Sequence, residues 1–281
     1  MKTVLTIAGS DSSGGAGIQA DLKTMSAHGV YGMSVITALT AQNTLGVRDI
    51  CPVSGSFVRK QLDAVMEDIF PDAIKIGMLP DIDVMEEVAA VLKKYKAENV
   101  VLDPVLSSTS GTELSAQEAR EFLLNELFPL CSIVTPNIPE AEIINKTKIE
   151  SSLDAERNCK EISEKYGCSV LIKGGHSTYT ADNKVSDCFY IAGNKEKYKD
   201  KELDKIISDN EEFIWISSEK IDNPNTHGTG CTLSSAIACN LALGYEAEPA
   251  VRNAKKYVSS CIAAGLKLGQ GRGPMEHVRV R

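Results

Sequence analysis

The sequence has little of what metal clusters and disulfide frameworks require. It contains four histidines and eight cysteines in 281 residues, and no two cysteines form a C-x-x-C pair. Zinc sites and disulfide-rich scaffolds depend on such close spacings, so neither is expected here. Scattered thiols of this kind are typical of proteins in a reducing compartment, and we expect a cytoplasmic protein.

Basic patches and long apolar runs are also missing. Lys and Arg are dispersed and the formal net charge is −8, which argues against nucleic acid or an anionic membrane as the main partner. No stretch reaches the roughly 18–20 apolar residues of a membrane span, and the apolar run that begins the sequence is too short for a signal peptide. With 43% hydrophobic and 24% charged residues, the composition is that of an ordinary globular protein, and we expect one domain over residues 1–281.

What is present is an alternation of short apolar runs with segments of helical periodicity. This pattern predicts βαβ units around a parallel sheet. The predicted strands are Val4–Ala8, Ser34–Ala41, Ala73–Met78, Asn99–Leu102, Cys131–Thr135, Ser169–Lys173, Val185–Ile191 and Glu212–Ile216. The predicted helices are Ala16–His28, Phe57–Ile69, one capped by Asp81, one capped by Ser115, one opening at Asn137, Leu153–Tyr166, Cys231–Leu243 and Glu248–Leu268.

Polar and glycine motifs repeatedly follow the predicted strands. Ligands in parallel sheets bind beyond the carboxyl ends of the strands. The motif positions are Gly9, Gln42, Gly77, Asp103, Asn137 and Lys173. Their shared placement predicts a single ligand crevice at one edge of the sheet.

The stretch Asn225–Cys231 (Asn-Thr-His-Gly-Thr-Gly-Cys) has two glycines just before a run of good helix formers. A helix N-terminus exposes unpaired N–H groups with partial positive charge, and glycine lets an anion approach them closely. Cys231 stands at this helix entrance, where the pKa of a thiol tends to fall. The pattern predicts a phosphate site with a candidate base, and the simpler alternative is a glycine-rich helix start with a packed cysteine.

A second glycine loop, Gly9–Asp21, follows the first predicted strand. Within it, Gly15–Ala20 matches the dinucleotide pattern G-x-G-x-x-A. That pattern also needs an acidic residue about 20 residues further on to hold the ribose, and Val35–Asn43 contains none. The loop is better interpreted as a wall against which a flat substrate lies, or else as a tight turn without a ligand.

Seven motifs, given below in the order in which they occur along the chain, together resemble those of the hydroxymethylpyrimidine and phosphomethylpyrimidine kinases of thiamine biosynthesis. These kinases belong to the ribokinase-like superfamily. The resemblance covers nearly the whole chain. It implies an α/β fold with a central, mostly parallel sheet flanked by helices on both faces. It also implies ATP-dependent phosphorylation of 4-amino-5-hydroxymethyl-2-methylpyrimidine and then of its monophosphate, with Mg²⁺, and a homodimer. The motifs are Gly9–Asp21, Ala41–Thr44, Lys75–Leu79, Asn99–Val105, Thr135–Glu140, Lys173–His176 and Asn225–Cys231.

The resemblance implies a substrate pocket. Gln42 would hydrogen-bond the aminopyrimidine, because a side-chain amide offers both a donor and an acceptor; the alternative is an amide that caps its own loop. Asp21 would orient the hydroxymethyl end or the amino group. The residues implied to line the ring are Gly9, Ala16, Met78 and Val105.

It also implies a phosphate and metal site. Asp103 and Glu140, with Asn137 one turn before Glu140, would hold Mg²⁺ through hard oxygen ligands. The alternative is that these side chains only cap a helix and a turn. Lys173 would neutralise nucleotide phosphate charge, and Thr229 would contact the nucleotide.

Most ribokinase-like kinases have an Asp that acts as the base at the start of the predicted helix Cys231–Leu243. This sequence has Cys231 there, and the pyrimidine kinases that it resembles also have a Cys. Cys231 would accept the hydroxymethyl proton in the first step. The second step has an anionic nucleophile that needs no base. The backbone amides of Gly228, Thr229 and Gly230 would therefore matter more than the base, by stabilising transition-state charge.

Two departures and three rivals remain. After Val105 the family's usual Lys is missing from residues 106–111, and the charged segment 193–210 is longer than in most relatives. Pyridoxal kinase is the nearest rival, with Gln42 as the discriminator. An oxidoreductase using the Gly15–Ala20 loop lacks the ribose acid, and a non-catalytic binder would not need Asp103, Glu140, Lys173 and Cys231 together.

Overall fold

The protein is described here by a computed structural model covering residues 1–106, 113–175, 183–193, 213–264 and 266–277. Within these ranges its strands are β1 Thr3–Asp11, β2 Tyr31–Asn43, β3 Gly46–Pro52, β4 Ala73–Ile76, β5 Val100–Leu102, β6 Ile133–Val134, β7 Ser169–Ile172, β8 Lys184–Tyr190 and β9 Phe213–Glu219. The helices are α1 Gly17–Ala27, α2 Gly55–Met66, α3 Ile82–Tyr95, α4 Glu113–Phe122, α5 Ile138–Asn145, α6 Ser152–Tyr166, α7 Thr229–Ala242 and α8 Ala247–Ala264.

The described strands form one nine-stranded sheet in the order β3-β2-β1-β4-β5-β6-β7-β8-β9. Strands β2, β1, β4, β5, β6 and β7 run parallel, whereas β3, β8 and β9 pair antiparallel at the two edges. The central strands are buried on both faces, as is usual when helices cover both sides of a parallel sheet.

Two hydrophobic clusters occupy the two faces of the sheet. Because strand side chains alternate in direction, Leu5 joins the cluster under α2 to α6, whereas Val4 joins the cluster under α1, α7 and α8. Val101 likewise faces the second cluster between two neighbours that face the first. This arrangement confirms the predicted α/β class with helices on both faces.

The sequence prediction missed β3. This strand pairs antiparallel with β2 at the sheet edge, and most of its residues are exposed. An edge strand without a buried face carries no alternating apolar pattern, so periodicity could not reveal it.

Other boundaries also differ from the prediction. Helix α4 begins at Glu113, so the predicted cap at Ser115 is wrong, and the helix ends in a π-helical segment at Leu123–Leu127. Helix α7 begins at Thr229, two residues before the predicted start at Cys231. Asp81 caps α3 as predicted, accepting from the Val84 N–H at 2.9 Å.

Two segments that the sequence analysis singled out lie wholly or mostly outside the described residues. Most of the charged segment 193–210, and residues 107–111 of the departure after Val105, lie outside the described residues. Among the described helices, none combines the length and apolarity needed to cross a membrane.

Candidate active site

Two glycine loops distant in sequence interlock at the carboxyl edge of the sheet. Gly228 has φ +86°, and a Cβ there would lie 1.9 Å from the Gly15 carbonyl oxygen. A Cβ on Gly15 would in turn lie 2.5 Å from His227 Cδ2. Any side chain at either glycine would therefore separate the loop that precedes α1 from the loop that precedes α7.

The N-terminus of α7 faces this junction without a side-chain cap. Gly228 is the N-cap residue in the left-handed region and makes no side-chain hydrogen bond to the helix. Thr229, Gly230 and Cys231 form the first turn and are partly exposed. The first-turn amides and the helix dipole therefore provide an anion-binding position.

Cys231 lies between several charged groups. Burial raises the pKa of its thiol, opposed by the Lys75 ammonium and by the backbone N–H of Gly17. The carboxylates of Asp21 and Asp103 raise the thiol pKa further. The sequence-based expectation of a lowered pKa is therefore wrong for this structure, because burial outweighs the helix N-terminus.

Lys173 and Asp103 form an ion pair under the first turn of α7. Lys173 follows β7 and its Nζ donates to Asp103 Oδ1, which Thr135 Oγ1 also contacts at 3.1 Å. Burial alone would raise the pKa of Asp103, but Lys173 holds it below its usual range. A Cβ on Gly230 would lie 3.0 Å from Asp103 Oδ2 and 3.5 Å from Lys173 Nζ. The structure thus brings the ends of β5 and β7 to the anion-binding position.

Asn137 and Glu140 cap the N-terminus of α5. Asn137 Oδ1 accepts from the Glu140 N–H at 2.9 Å, and Glu140 Oε2 accepts from the Asn137 N–H at 2.7 Å. Burial raises the pKa of Glu140 to about 7 despite the nearby Lys173 ammonium. Both side chains therefore take part in capping α5.

The donor set offers oxygen atoms rather than a closed metal cage. Among the described residues, no group of three or more His, Cys, Asp or Glu side chains could hold a metal ion. Asp103 and Glu140 present carboxylate oxygens near Lys173, which fits a hydrated Mg²⁺ shared with phosphate oxygens. Asn137 Oδ1 already accepts from the Glu140 N–H, so a metal role for Asn137 would have to share that oxygen with the cap.

A small pocket wall lies at the end of β1 and β4. A Cβ on Gly9 would lie 2.5 Å from Met78 Cε, so these two residues are in contact. Met78 and Ala16 are partly exposed, and Val105, after β5, is 37% exposed. The contact between Gly9 and the polarizable Met78 offers a surface against which a flat ring can lie.

A contact between the two glycine loops, which sequence reasoning missed, brings His227 against Asp11 and Gln42. The same ring nitrogen, Nε2, makes both contacts, so it can donate to the Asp11 carboxylate or accept from the Gln42 amide, but not both at once. His227 Nε2 lies 3.0 Å from Asp11 Oδ2 and 3.1 Å from Gln42 Nε2. Asp11 also accepts the N–H groups of Gly15 and Ala16 at 3.1 and 2.8 Å. Burial would raise the pKa of Asp11, but the hydrogen bond from His227 and those of the loop hold it far below its usual range.

The only sequence signal for the contact between Asp11 and His227 was their position inside the two glycine motifs. Neither residue has a spacing that predicts a partner, because they are 216 residues apart in sequence. Their contact depends on how the two loops meet.

Asp21 lies behind the pocket rather than in it. Its side chain is fully buried, with hydrogen bonds from Thr6 Oγ1 and Ser235 Oγ at 2.6 Å each and from Lys75 Nζ at 2.8 Å. Three neighbouring side chains occupy the carboxylate in this structure, so any influence of Asp21 on the orientation of substrate would pass through them.

Fold and site together define a ribokinase-like kinase: a mostly parallel sheet, helices on both faces, and an uncapped helix N-terminus beside a strand-end ion pair. The model of the family "Phosphomethylpyrimidine kinase" matches residues 11–276. The chain belongs to the phosphomethylpyrimidine kinase family, which confirms the resemblance inferred from the motifs.

Individual relatives agree with this assignment. The hydroxymethylpyrimidine/phosphomethylpyrimidine kinase of Haemophilus influenzae is 40% identical over 277 residues, covering 99% of this chain and 97% of that protein. The phosphomethylpyrimidine kinase structure from Clostridium difficile is 44% identical with a TM-score of 0.74, covering 93% of this chain and 100% of that one. An ADP complex of Bacillus subtilis pyridoxal kinase is 35% identical with a TM-score of 0.84, covering 99% of this chain and 97% of that one.

Proposed function

We propose that the protein is an ATP-dependent kinase that phosphorylates 4-amino-5-hydroxymethyl-2-methylpyrimidine, and then its monophosphate, in thiamine biosynthesis. The observation that carries this proposal is the convergence of the open α7 N-terminus with Lys173 and Asp103. Family membership supports the substrate class.

The pyrimidine would lie against Gly9, Ala16, Met78 and Val105. Gln42 would bind the amino-substituted edge of the ring, since its amide can both donate and accept. In the present arrangement that amide contacts His227. Substrate would therefore replace this contact, and His227 Nε2 would then donate to Asp11 alone.

The transferred phosphoryl group would sit at the first turn of α7. The N–H groups of Gly228 to Cys231 would stabilise its developing negative charge, and Lys173 and Thr229 would contact the nucleotide phosphates. In the first step Cys231 would accept the hydroxymethyl proton as its thiolate. In the second step the nucleophile is already an anion, so only the amides and Lys173 act on the reaction.

A magnesium ion, when bound, would neutralise charge on the phosphates. Asp103 and Glu140 would hold it, mainly through water. Lys173 already neutralises part of the Asp103 charge, so the site has a cation in place before nucleotide arrives.

A coupled ADP-release assay across the two pyrimidines and pyridoxal tests the proposal. We expect turnover with both pyrimidines. The kcat/KM for pyridoxal should be much lower than the kcat/KM for either pyrimidine. Pyridoxal kinase is the second candidate because the Bacillus subtilis pyridoxal kinase is such a near structural neighbour. A much higher kcat/KM for pyridoxal would replace the first assignment with the second.

We also propose that residues 1–281 form one kinase domain, that the chain forms a homodimer, and that it works in the cytoplasm. One sheet passing through all the described strands supports a single domain.

The dimer is supported by exposed apolar side chains at the β3 edge of the sheet. Leu45, in the turn before β3, is 65% exposed and Val47, in β3, is 52% exposed, which supports an apolar contact at this edge. Light scattering after size-exclusion chromatography measures the oligomeric state, and a monomer at all concentrations would exclude the dimer.

A further inference from the structure

A fully buried ion pair lies behind the site and has no role in the mechanism above. Lys75 lies in β4 and Asp21 in α1, and neither side chain has any exposed surface. Lys75 Nζ donates to Asp21 Oδ2 at 2.8 Å, and Asp21 also accepts from Thr6 and Ser235. A buried ion pair is retained at a cost in desolvation that apolar side chains would avoid. Its presence therefore calls for a reason other than packing.

The pair joins three elements of the site. Ser235 lies one helical turn beyond Cys231 on α7, so Asp21 fixes the first turns of α7 to α1. A Cβ on Gly77 would lie 2.8 Å from Lys75 Nζ, which places the ammonium directly under the end of β4. Helix α7 packs across β1, β4 and β5 at this point.

Lys75 also acts on the reacting groups by charge. Its ammonium favours the thiolate of Cys231, and Asp103 is a further anion in its field. The Cys231 thiol therefore lies in the field of a buried cation that has no exposed surface. Lys173 also interacts with Cys231 by charge, but its side chain is 17% exposed, whereas that of Lys75 is fully buried.

We propose that Lys75 and Asp21 are a positioning pair for phosphoryl transfer. Asp21 holds the anion-binding turn of α7 against α1, and Lys75 sets the positive potential beneath Cys231. This rests on the proposed kinase function, in which Cys231 accepts the hydroxymethyl proton. The two residues act through Cys231 and the α7 amides and touch neither substrate nor nucleotide.

The test measures the rate of Cys231 alkylation by iodoacetamide against pH. The Cys51→Ser background removes the exposed thiol, and peptide mass spectrometry isolates the Cys231 signal. The charged groups that face Cys231 are Lys75 from β4, Asp21 from α1, Asp103 after β5 and Lys173 after β7.

The two single charge changes have opposite expected effects. Lys75→Met removes the cation and should raise the alkylation midpoint by roughly one pH unit or more. Asp21→Asn removes the anion and should lower it. Lys75→Arg keeps the charge and should stay near the parent value. Loosened packing would instead speed alkylation in both variants, so shifts in the same direction, or none, overturn the proposal.

The double variant Asp21→Asn/Lys75→Met keeps the test decisive if Lys75→Met alone does not fold. It leaves no unpaired buried charge, and its midpoint should lie above that of Asp21→Asn by roughly one pH unit. Ser235→Ala breaks only the link to α7 and should lower kcat by about tenfold, with little change in the midpoint. The alkylation readout needs no substrate, so a wrong assignment of substrate would leave it unaffected.

Discussion

Helices α5 and α7 begin at the same edge of the sheet but close their first turns differently. In α5, Asn137 and Glu140 satisfy each other's backbone N–H groups. In α7, a left-handed glycine stands at the N-cap and no side chain caps the turn. A glycine N-cap in place of a Ser, Thr, Asp or Asn cap typically costs about a few tenths of a kcal/mol of stability. The comparison indicates that stability is given up at α7 so that its amides remain available to a phosphate.

The largest expected effect comes from adding a side chain at the N-cap of α7. Gly228→Ala places a Cβ against the Gly15 carbonyl oxygen at a positive φ, which displaces the α7 amides. We expect kcat/KM to fall by about 10³-fold or more, measured by ADP release. Gly244→Ala is the matched control, because Gly244 also has a positive φ but no atom within 4 Å of the added Cβ. It should cost stability without this loss of activity, and equal losses in both variants would contradict the steric argument.

The next prediction distinguishes the contribution of the Cys231 thiol to catalysis from that of the backbone amides in the first turn of α7. Cys231→Ala should lower kcat for the hydroxymethyl substrate by about 10²–10⁴-fold, because the proton acceptor is lost. The monophosphate step should lose far less, since its nucleophile is already ionised. Cys239→Ala, buried two turns further along the same helix, is the control. Equal losses in the two steps would show that Cys231 is not a base.

A third prediction concerns the closed helix start. The folded pKa of Glu140, raised to about 7 from an ordinary 4.5, means that the folded protein binds this proton more tightly than the unfolded chain. The associated stability is present below about pH 4.5 and is lost as the pH rises through 7. At pH 8 the ionised carboxyl should cost roughly 3 kcal/mol.

Glu140→Gln can keep the capping box while removing the charge. We therefore expect a higher Tm than the parent at pH 8 and no difference near pH 4.5, measured by thermal unfolding in the presence of a chelator. Glu142→Gln is the control, because hydrogen bonds lower the pKa of that carboxyl. A gain of equal size at both pH values would rule out titration of Glu140 as its source.

The smallest effect tests the cap itself. Asn137→Ala removes the acceptor for the Glu140 N–H and should cost about 1 kcal/mol of unfolding free energy. Ser151→Ala removes the corresponding cap of α6, where Ser151 pairs with Asp154, at a similar cost. If Asn137 is a cap and not a metal ligand, the magnesium concentration needed for half-maximal activity should be the same in the two variants. A rise in that concentration for Asn137→Ala alone would return Asn137 to the metal site.

The sequence was informative where one element carries its own signal. The buried central strands, the cap of α3 and the glycine-led start of α7 follow from local patterns, and the helices lie on both faces as the βαβ pattern predicts. The family motifs also place Gln42, Lys173 and Asp103 at strand ends that meet.

What the sequence could not provide depends on contacts between distant elements. The exposed β3 has no periodicity to detect. Asp21 resembles a pocket residue in the motif, yet Lys75 and Ser235 occupy its carboxylate from other elements. The pKa of Cys231 follows from its three-dimensional burial, which outweighs the helix position that sequence reasoning relied on.

The contact between Asp11 and His227 has a consequence for how the enzyme is made. The first strand supplies one wall of the catalytic chamber and the penultimate helix supplies the opposite wall, so the chamber exists only after the ribosome has delivered almost the entire polypeptide. A nascent chain that ends before α7 can build most of the sheet and yet has nowhere to hold a phosphate. A chain that lacks α7 and α8 should therefore be inactive even if its sheet forms.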